Sequence, residues 1–389
     1  MGRASEAEAC LRRALELDPY HVPANTKLAV LLQTEGRTWE AKPHAEILIF
    51  SGECGRDQLL MIGGLDSMVI DDPPFTANCL HQVPDDQIVR LAEGRIALLR
   101  DDDAERAEEI FRNILRRHPE QMEALARLGE VLLERPERAP FIQWQATLPK
   151  VADLHPRTWF ARGVWARRNG QPRAAARCFL EALRLHPNHA SSNFQLSQVL
   201  IALGMAEEAK PFVERSRLLA TLDYTVNQLQ NLPDLELMRQ VAVTNEQLGC
   251  SWEAIGWCYV ARLLDPQLAW ATEALATASY RLTPAGQFMR AESLPALAMD
   301  ISQFPLPVWP ELSDEGPAAE TQSVAASNIQ WVDVAPEAGL DFQYFNTDQD
   351  LRSRSHHDRA RRRCGSDRLR LRRLAGPVFS SGRTVGPAW

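Results

Sequence analysis

The sequence predicts an all-α fold, a solenoid of stacked helix–turn–helix repeats over residues 1–281. Three observations predict it. Proline, or threonine in its slot, recurs at near-constant spacing: Pro119 to Pro156 spans 37 residues, Pro156 to Pro187 31, and Pro187 to Thr221 34. Small and apolar residues precede these anchors at fixed offsets, as in Gly170, Ala175, Phe179, Ala182, Pro187 and again in Gly249, Ala254, Cys258, Ala261, Pro266. Glycine stands at Gly36, Gly170, Gly204 and Gly249, where a first helix must end in a tight turn.

Each element follows from these marks. Gly2, Ala7, Leu11, Ala14 and Pro19 form a second helix that lacks its opening partner, so the array is expected to have lost its first helix. The repeat near 56–87 is degenerate: 57–69 has the pattern of a first helix, but Asp71-Asp72-Pro73-Pro74-Phe75 interrupts the second. From Ala107 onward the units are regular. Leu125, Leu128, Gly129 and Leu132 follow Pro119, and Asn193, Leu196, Ser197, Leu200 and Gly204 follow Pro187. Gly129, Gly163, Ala175, Ala209 and Ala254 sit where paired helices must cross, and apolar residues at i, i+3, i+4, i+7 give each helix one buried stripe. Thr221 to Pro266 spans 45 residues, so about eleven near Leu222–Leu232 are extra to one period. About seven repeats are expected over 1–266, with 269–281 as a capping helix.

This pattern resembles the tetratricopeptide (TPR) repeat family, whose period is ~34 residues. The resemblance implies a right-handed superhelix whose first helices line a concave groove for a partner peptide. Carried onto this chain, the groove residues are Arg157, Phe160, Arg167 and Arg168, then Ser191, Phe194, Gln198 and Ile201, then Arg239 and Glu246. Aromatics beside arginines suit an extended acidic or C-terminal peptide, because the guanidinium forks onto carboxylates. The Asn/Lys/Arg carboxylate clamp of chaperone-binding members is absent at matching positions. The expected function is a protein–protein interaction scaffold with a protein or peptide partner.

Composition excludes other classes. Seven scattered cysteines with no CxxC pair are read as structural thiols. His118, His155 and His186 each precede a repeat boundary, and the repeat itself spaces them, so no metal site is expected. No Walker loop, GxGxxG, GxSxG or HExxH motif occurs, and neither enzymatic activity nor a cofactor is expected. No apolar run approaches a membrane span, and Met1–Glu6 lacks a signal-peptide layout, so the chain as written is expected to be cytoplasmic.

Beyond the solenoid, 282–328 reads as a Pro-rich, disordered linker. Ile329–Phe342 and Phe345-Asn346 are similar to the opening of FG-GAP/UnbV-type β-propeller domains, so 329–350 is expected to be the remnant start of one. The Asp-rich calcium loop that the resemblance implies does not follow. Instead 351–389 is Arg-rich, with eleven Arg and two Asp giving +9 and leaving −17 on the rest of a chain of net charge −8. Permitted codons for Arg368–Phe379, read one base later, give DYDCDGWPDLY, so a frameshift is the expected origin of this irregular tail. Taken as written, the tail is an arm for nucleic acid or anionic surfaces, the less favoured alternative since no aromatics interleave its arginines.

Overall fold

Antiparallel helix pairs build the molecule. The computed structural model describes residues 4–63, 73–230, 233–278 and 294–310, all within the unit Met1–Leu312. Its helices are α1 (Ala4–Leu17), α2 (Val22–Thr34), α3 (Thr38–Ser51), α4 (Arg56–Gly63), α5 (Pro73–Gln82), α6 (Gln87–Arg95) and α7 (Ala104–Arg117). They continue as α8 (Met122–Leu133), α9 (Ala139–Thr147), α10 (Pro156–Arg168), α11 (Pro172–Leu185), α12 (Ala190–Ala202) and α13 (Ala206–Leu229). The last are α14 (Leu235–Gln247), α15 (Ser251–Leu264), α16 (Ala269–Ala278) and the single turn α17 (Pro295–Ala298). The fold is the expected all-α solenoid, and no strand occurs among the described residues.

Local chemistry sets the ends. First helices start at side-chain caps: Asp86 for α6, Gln121 for α8, His155 for α10, His189 for α12 and Asp234 for α14. The turns inside the hairpins hold Gly36, Gly170, Gly204 and Gly249 at φ of +80°, +70°, +79° and +79°, as the sequence requires. Where α10 crosses α11, a Cβ on Gly163 would lie 2.5 Å from Cε1 of Phe179. Gly163→Leu should therefore destabilise the chain by about 1–3 kcal/mol through overpacking, read as a shifted urea midpoint at unchanged slope. A midpoint equal to that of the unsubstituted chain would refute this crossing.

Three departures from the expected array matter. Pro73 does not break a helix; it starts α5, in the first turn where no intrahelical N–H is needed. The extra residues after Leu222, whose place the sequence left open, lengthen α13 to 24 residues. The described part of the expected linker, 294–310, is not loose chain but lies on the solenoid, with Ala296 and Phe304 buried in its core. The expected propeller remnant and Arg-rich tail lie outside the described residues.

The core explains the added length of α13. One apolar cluster runs from Leu91 on α6 to Phe212 on α13. A second joins Leu48, Ile49, Cys54 and Leu59 from the first repeats to residues of α13–α16, including Leu222, Val226 and Leu229 on the extension. The array thus folds back on itself: α3 and α4 pack against α15, and α4 also reaches α13. Arg56 donates to the carbonyl oxygens of Leu229 and Gln230 at the end of α13. Leu59 fills the space beside Gly256 of α15, where a Cβ would sit 2.6 Å from its Cδ2.

Candidate protein-interaction surface

The row of first helices was the expected binding face, and α12 supplies one open part of it. His189 caps α12, its Nδ1 accepting from the Ser192 N–H at 3.2 Å. Asn193 then ties the entry turn by donating to the carbonyls of Pro187 and His189 at 2.9 and 3.0 Å. These bonds fix the helix rotation. Ser192, Asn193, Leu196, Ser197, Val199 and Leu200 turn inward, while Ser191, Phe194, Gln198 and Ile201 remain along the opposite edge. Phe194 and Ile201 are 53% and 49% exposed. Four of the expected groove residues therefore form one stripe on a single helix.

The others are placed differently. On α10, Arg157 is engaged by Glu130 at 2.8 Å, and the Phe160 ring lies 5.9 Å from Phe179 and 5.3 Å from His189. Both are partly buried. Arg168 donates to the Leu133 carbonyl and pairs with Glu134 at 3.1 Å, and Arg167 is exposed. On α14, Arg239 is half exposed and 3.8 Å from Glu236, while Glu246 is partly buried.

Sequence reasoning missed what crosses the start of this row. The turn between α2 and α3 abuts α8, where a Cβ on Gly36 would lie 2.4 Å from Glu123 Cδ, and Arg95 donates to the Thr34 carbonyl at 3.1 Å. Trp39, at the start of α3, meets the His155 ring edge-on at 4.6 Å. The first hairpin so covers the entry ends of α8 and α10. Beneath it lies a buried charge network. Glu123 accepts from Arg127 Nε at 2.7 Å and lies 3.0 Å from His155 Nε2, while Glu130 bridges Arg127 and Arg157 at 3.1 and 2.8 Å. Burial alone would raise the Glu123 carboxyl, but Arg127, His155 and Arg95 outweigh it and hold the group well below the usual carboxylate range. The i, i+4, i+7 spacing of Glu123, Arg127 and Glu130 was the signal in the sequence, and it equally describes an exposed helix face.

Between the first hairpin, the turn after α11 and α13–α15 lies a cavity of about 110 Å³, lined by Val30, Trp39, Lys42, His186, Asn188 and Leu222, among others. That is below the roughly 300 Å³ of small-molecule sites. Burial pushes the thiols of Cys54 and Cys178 up to about 12, which keeps them unreactive at neutral pH. Among the described residues no three His, Cys, Asp or Glu side chains converge as metal ligands, and no helix is long and apolar enough to cross a membrane.

Tetratricopeptide repeat models match residues 1–21, 91–147 and 156–189, so the chain carries tetratricopeptide repeats in those stretches. Among solved structures, the chain is similar to a chain of the APC/C hetero-tetramer Cut9–Hcn1, at 15% identity and a TM-score of 0.31, over 70% of this chain and 58% of that one. It is also similar to the C-terminal part of a TPR repeat-containing protein from Cytophaga hutchinsonii, at 13% identity and a TM-score of 0.23, over 70% of this chain and 95% of that one. The chain thus spans little more than half the length of the first of these. No curated protein sequence matches it.

Proposed function

We propose that this chain, a carrier of tetratricopeptide repeats, is a protein-interaction scaffold that binds an extended polypeptide on the open face of α12. The observation that carries this reading is the stripe Ser191, Phe194, Gln198, Ile201, in which two large apolar side chains stand about half exposed with polar groups between them. Exposed aromatic and aliphatic anchors on one helix face are where binding energy concentrates, and the hydroxyl and amide beside them can bond a peptide main chain. Arg167 and Arg239, on the preceding and following first helices, are the candidates to read acidic groups on the ligand.

The test is a fluorescence-anisotropy screen of the full chain against extended peptides bearing acidic side chains and a free C-terminal carboxylate. A bound peptide should lose about 30-fold in affinity with Phe194→Ala, the size of one hot-spot anchor. Arg239→Ala should weaken only peptides that carry the matching carboxylate. Equal binding by Phe194→Ala, Ile201→Ala and the unsubstituted chain would remove α12 from the interaction.

A further inference from the structure

The described part of the Pro-rich segment, residues 294–310, is bound to the solenoid as a ligand would be. Its main chain is read by side chains of α11 and of the turn before it. Gln171 forms a reciprocal pair with Val308, donating Nε2 to its carbonyl at 2.9 Å and accepting its N–H on Oε1 at 2.8 Å. Arg173 donates to the Gln303 carbonyl at 3.2 Å, Arg177 to those of Ile301 and Phe304 at 3.3 and 3.2 Å, and Arg184 to that of Met299 at 3.2 Å. These contacts ask only for a peptide backbone. Side-chain selectivity comes from anchors: Ala296 and Phe304 are buried, Arg173 lies 5.7 Å from the centre of the Phe304 ring, and Trp309 lies 4.3 Å from Trp165 and 6.2 Å from Phe141.

The segment is also preorganised. Asp300 accepts from the Ser302 N–H at 2.9 Å to set a short turn before Phe304. Pro305, Pro307 and Pro310 then fix extended backbone angles while leaving the Val308 N–H free for Gln171. Little ordering entropy opposes docking, which is the property of a recognition peptide.

We propose that the outer face formed by α9, α10 and α11 is a second peptide-binding site, separate from the α12 stripe. Its ligand is an extended Pro-rich peptide with aromatic anchors five residues apart, and the chain's own 294–310 segment occupies it in cis. Recognition resides in the segment, so the same peptide binds when it is no longer part of the chain. Fifteen residues, 279–293, join α16 to it. Because it is joined in cis, the resident segment competes intramolecularly and excludes weaker competitors.

The test uses the full chain and a fluorescent peptide of residues 294–310. The Phe304→Ala/Trp309→Ala chain, with its resident anchors removed, should bind the peptide saturably and at least about tenfold more tightly than the unsubstituted chain does. A peptide carrying Trp309→Ala should bind neither. The proposal is overturned if the doubly substituted chain keeps its helical circular dichroism yet fails to take up the peptide, or takes up the substituted peptide equally. Should that chain not fold, the unsubstituted chain with a protease site inserted in 279–293 decides. After cleavage, the labelled peptide should exchange for the resident segment, and no exchange would show that 294–310 is merely part of the core.

Discussion

Lys42→Ala should cost about 3–5 kcal/mol and release the first hairpin from the last repeats, because it leaves the buried Glu253 carboxylate without its cation. The ammonium of Lys42 lies 2.6 Å from Glu253 and 3.8 Å from Glu46, and donates to the Cys250 sulfur at 3.2 Å. Burial alone would discharge it, but Cys250, Glu253 and Glu46 together raise its pKa and keep it charged. Both carboxyl groups are almost wholly buried. Urea unfolding followed by circular dichroism measures the loss, and small-angle scattering should show a larger radius of gyration. The Lys42→Met/Glu253→Leu pair should recover most of the stability, since apolar replacement removes the charges together. A loss below about 1 kcal/mol for Lys42→Ala would mean that this contact does not hold the array closed.

The same cluster sets a pH dependence. Burial, reinforced by the charge of Glu253, raises the Glu46 carboxyl well above its ordinary value of 4.5. Between 4.5 and that raised value the folded chain holds a proton that the unfolded chain has lost. Stability from this group therefore falls as pH rises through the window, by at most about 1.4 kcal/mol per pH unit. Glu46→Gln should remove that slope in urea titrations between pH 5 and 8. An unchanged slope would show that Glu46 ionises freely in the folded chain.

Glu123→Ala should be as damaging, again by about 3–5 kcal/mol, since it strips Arg127 and His155 of a partner where neither reaches water. It also empties the space against the Gly36 turn, so the first hairpin loses its seat on α8. The pH signature has the opposite sign to that of Glu46. A depressed carboxyl stabilises the fold fully above its ordinary value of 4.5 and loses that contribution as pH falls below it. Acid unfolding below pH 4.5 should be shallower in the variant. Identical acid limbs would place the network outside the folding equilibrium.

How far the sequence revealed this depends on the range of the interactions. Gly170, Gly204 and Gly249 and the close approach at Gly163 are set within one hairpin, so their spacing carries the information. The closure is set between residues some two hundred positions apart and leaves only indirect traces. One was the surplus of residues after Leu222, which became the part of α13 that α4 packs against. Another was α3, where Ala45, Glu46, Ile47, Leu48 and Ile49 are buried in succession. A helix buried on all sides must have neighbours on all sides. At α12, helical period alone distinguished inward from outward residues, and Phe194 lies on the outward side. At α10 the same reasoning exposed Arg157, because the partner carboxylate of Glu130 lies one repeat earlier. In 294–310, proline content suggested a linker, whereas Phe304 and Trp309 were the sign of docking.

In an open repeat array each unit touches only its neighbours, so stability accumulates almost as a sum along a line and segments melt independently. The contact of Lys42 with Glu253 removes that independence here. Nearly the whole length of the described solenoid must be assembled before this pair can meet, which raises contact order and slows folding relative to an unclosed array of equal size. Once formed, the ring couples its ends: loosening the first hairpin loosens the last, and a fragment cut between repeats forfeits more than the repeats removed. The closed chain should melt in one transition where a linear one would fray from its tips.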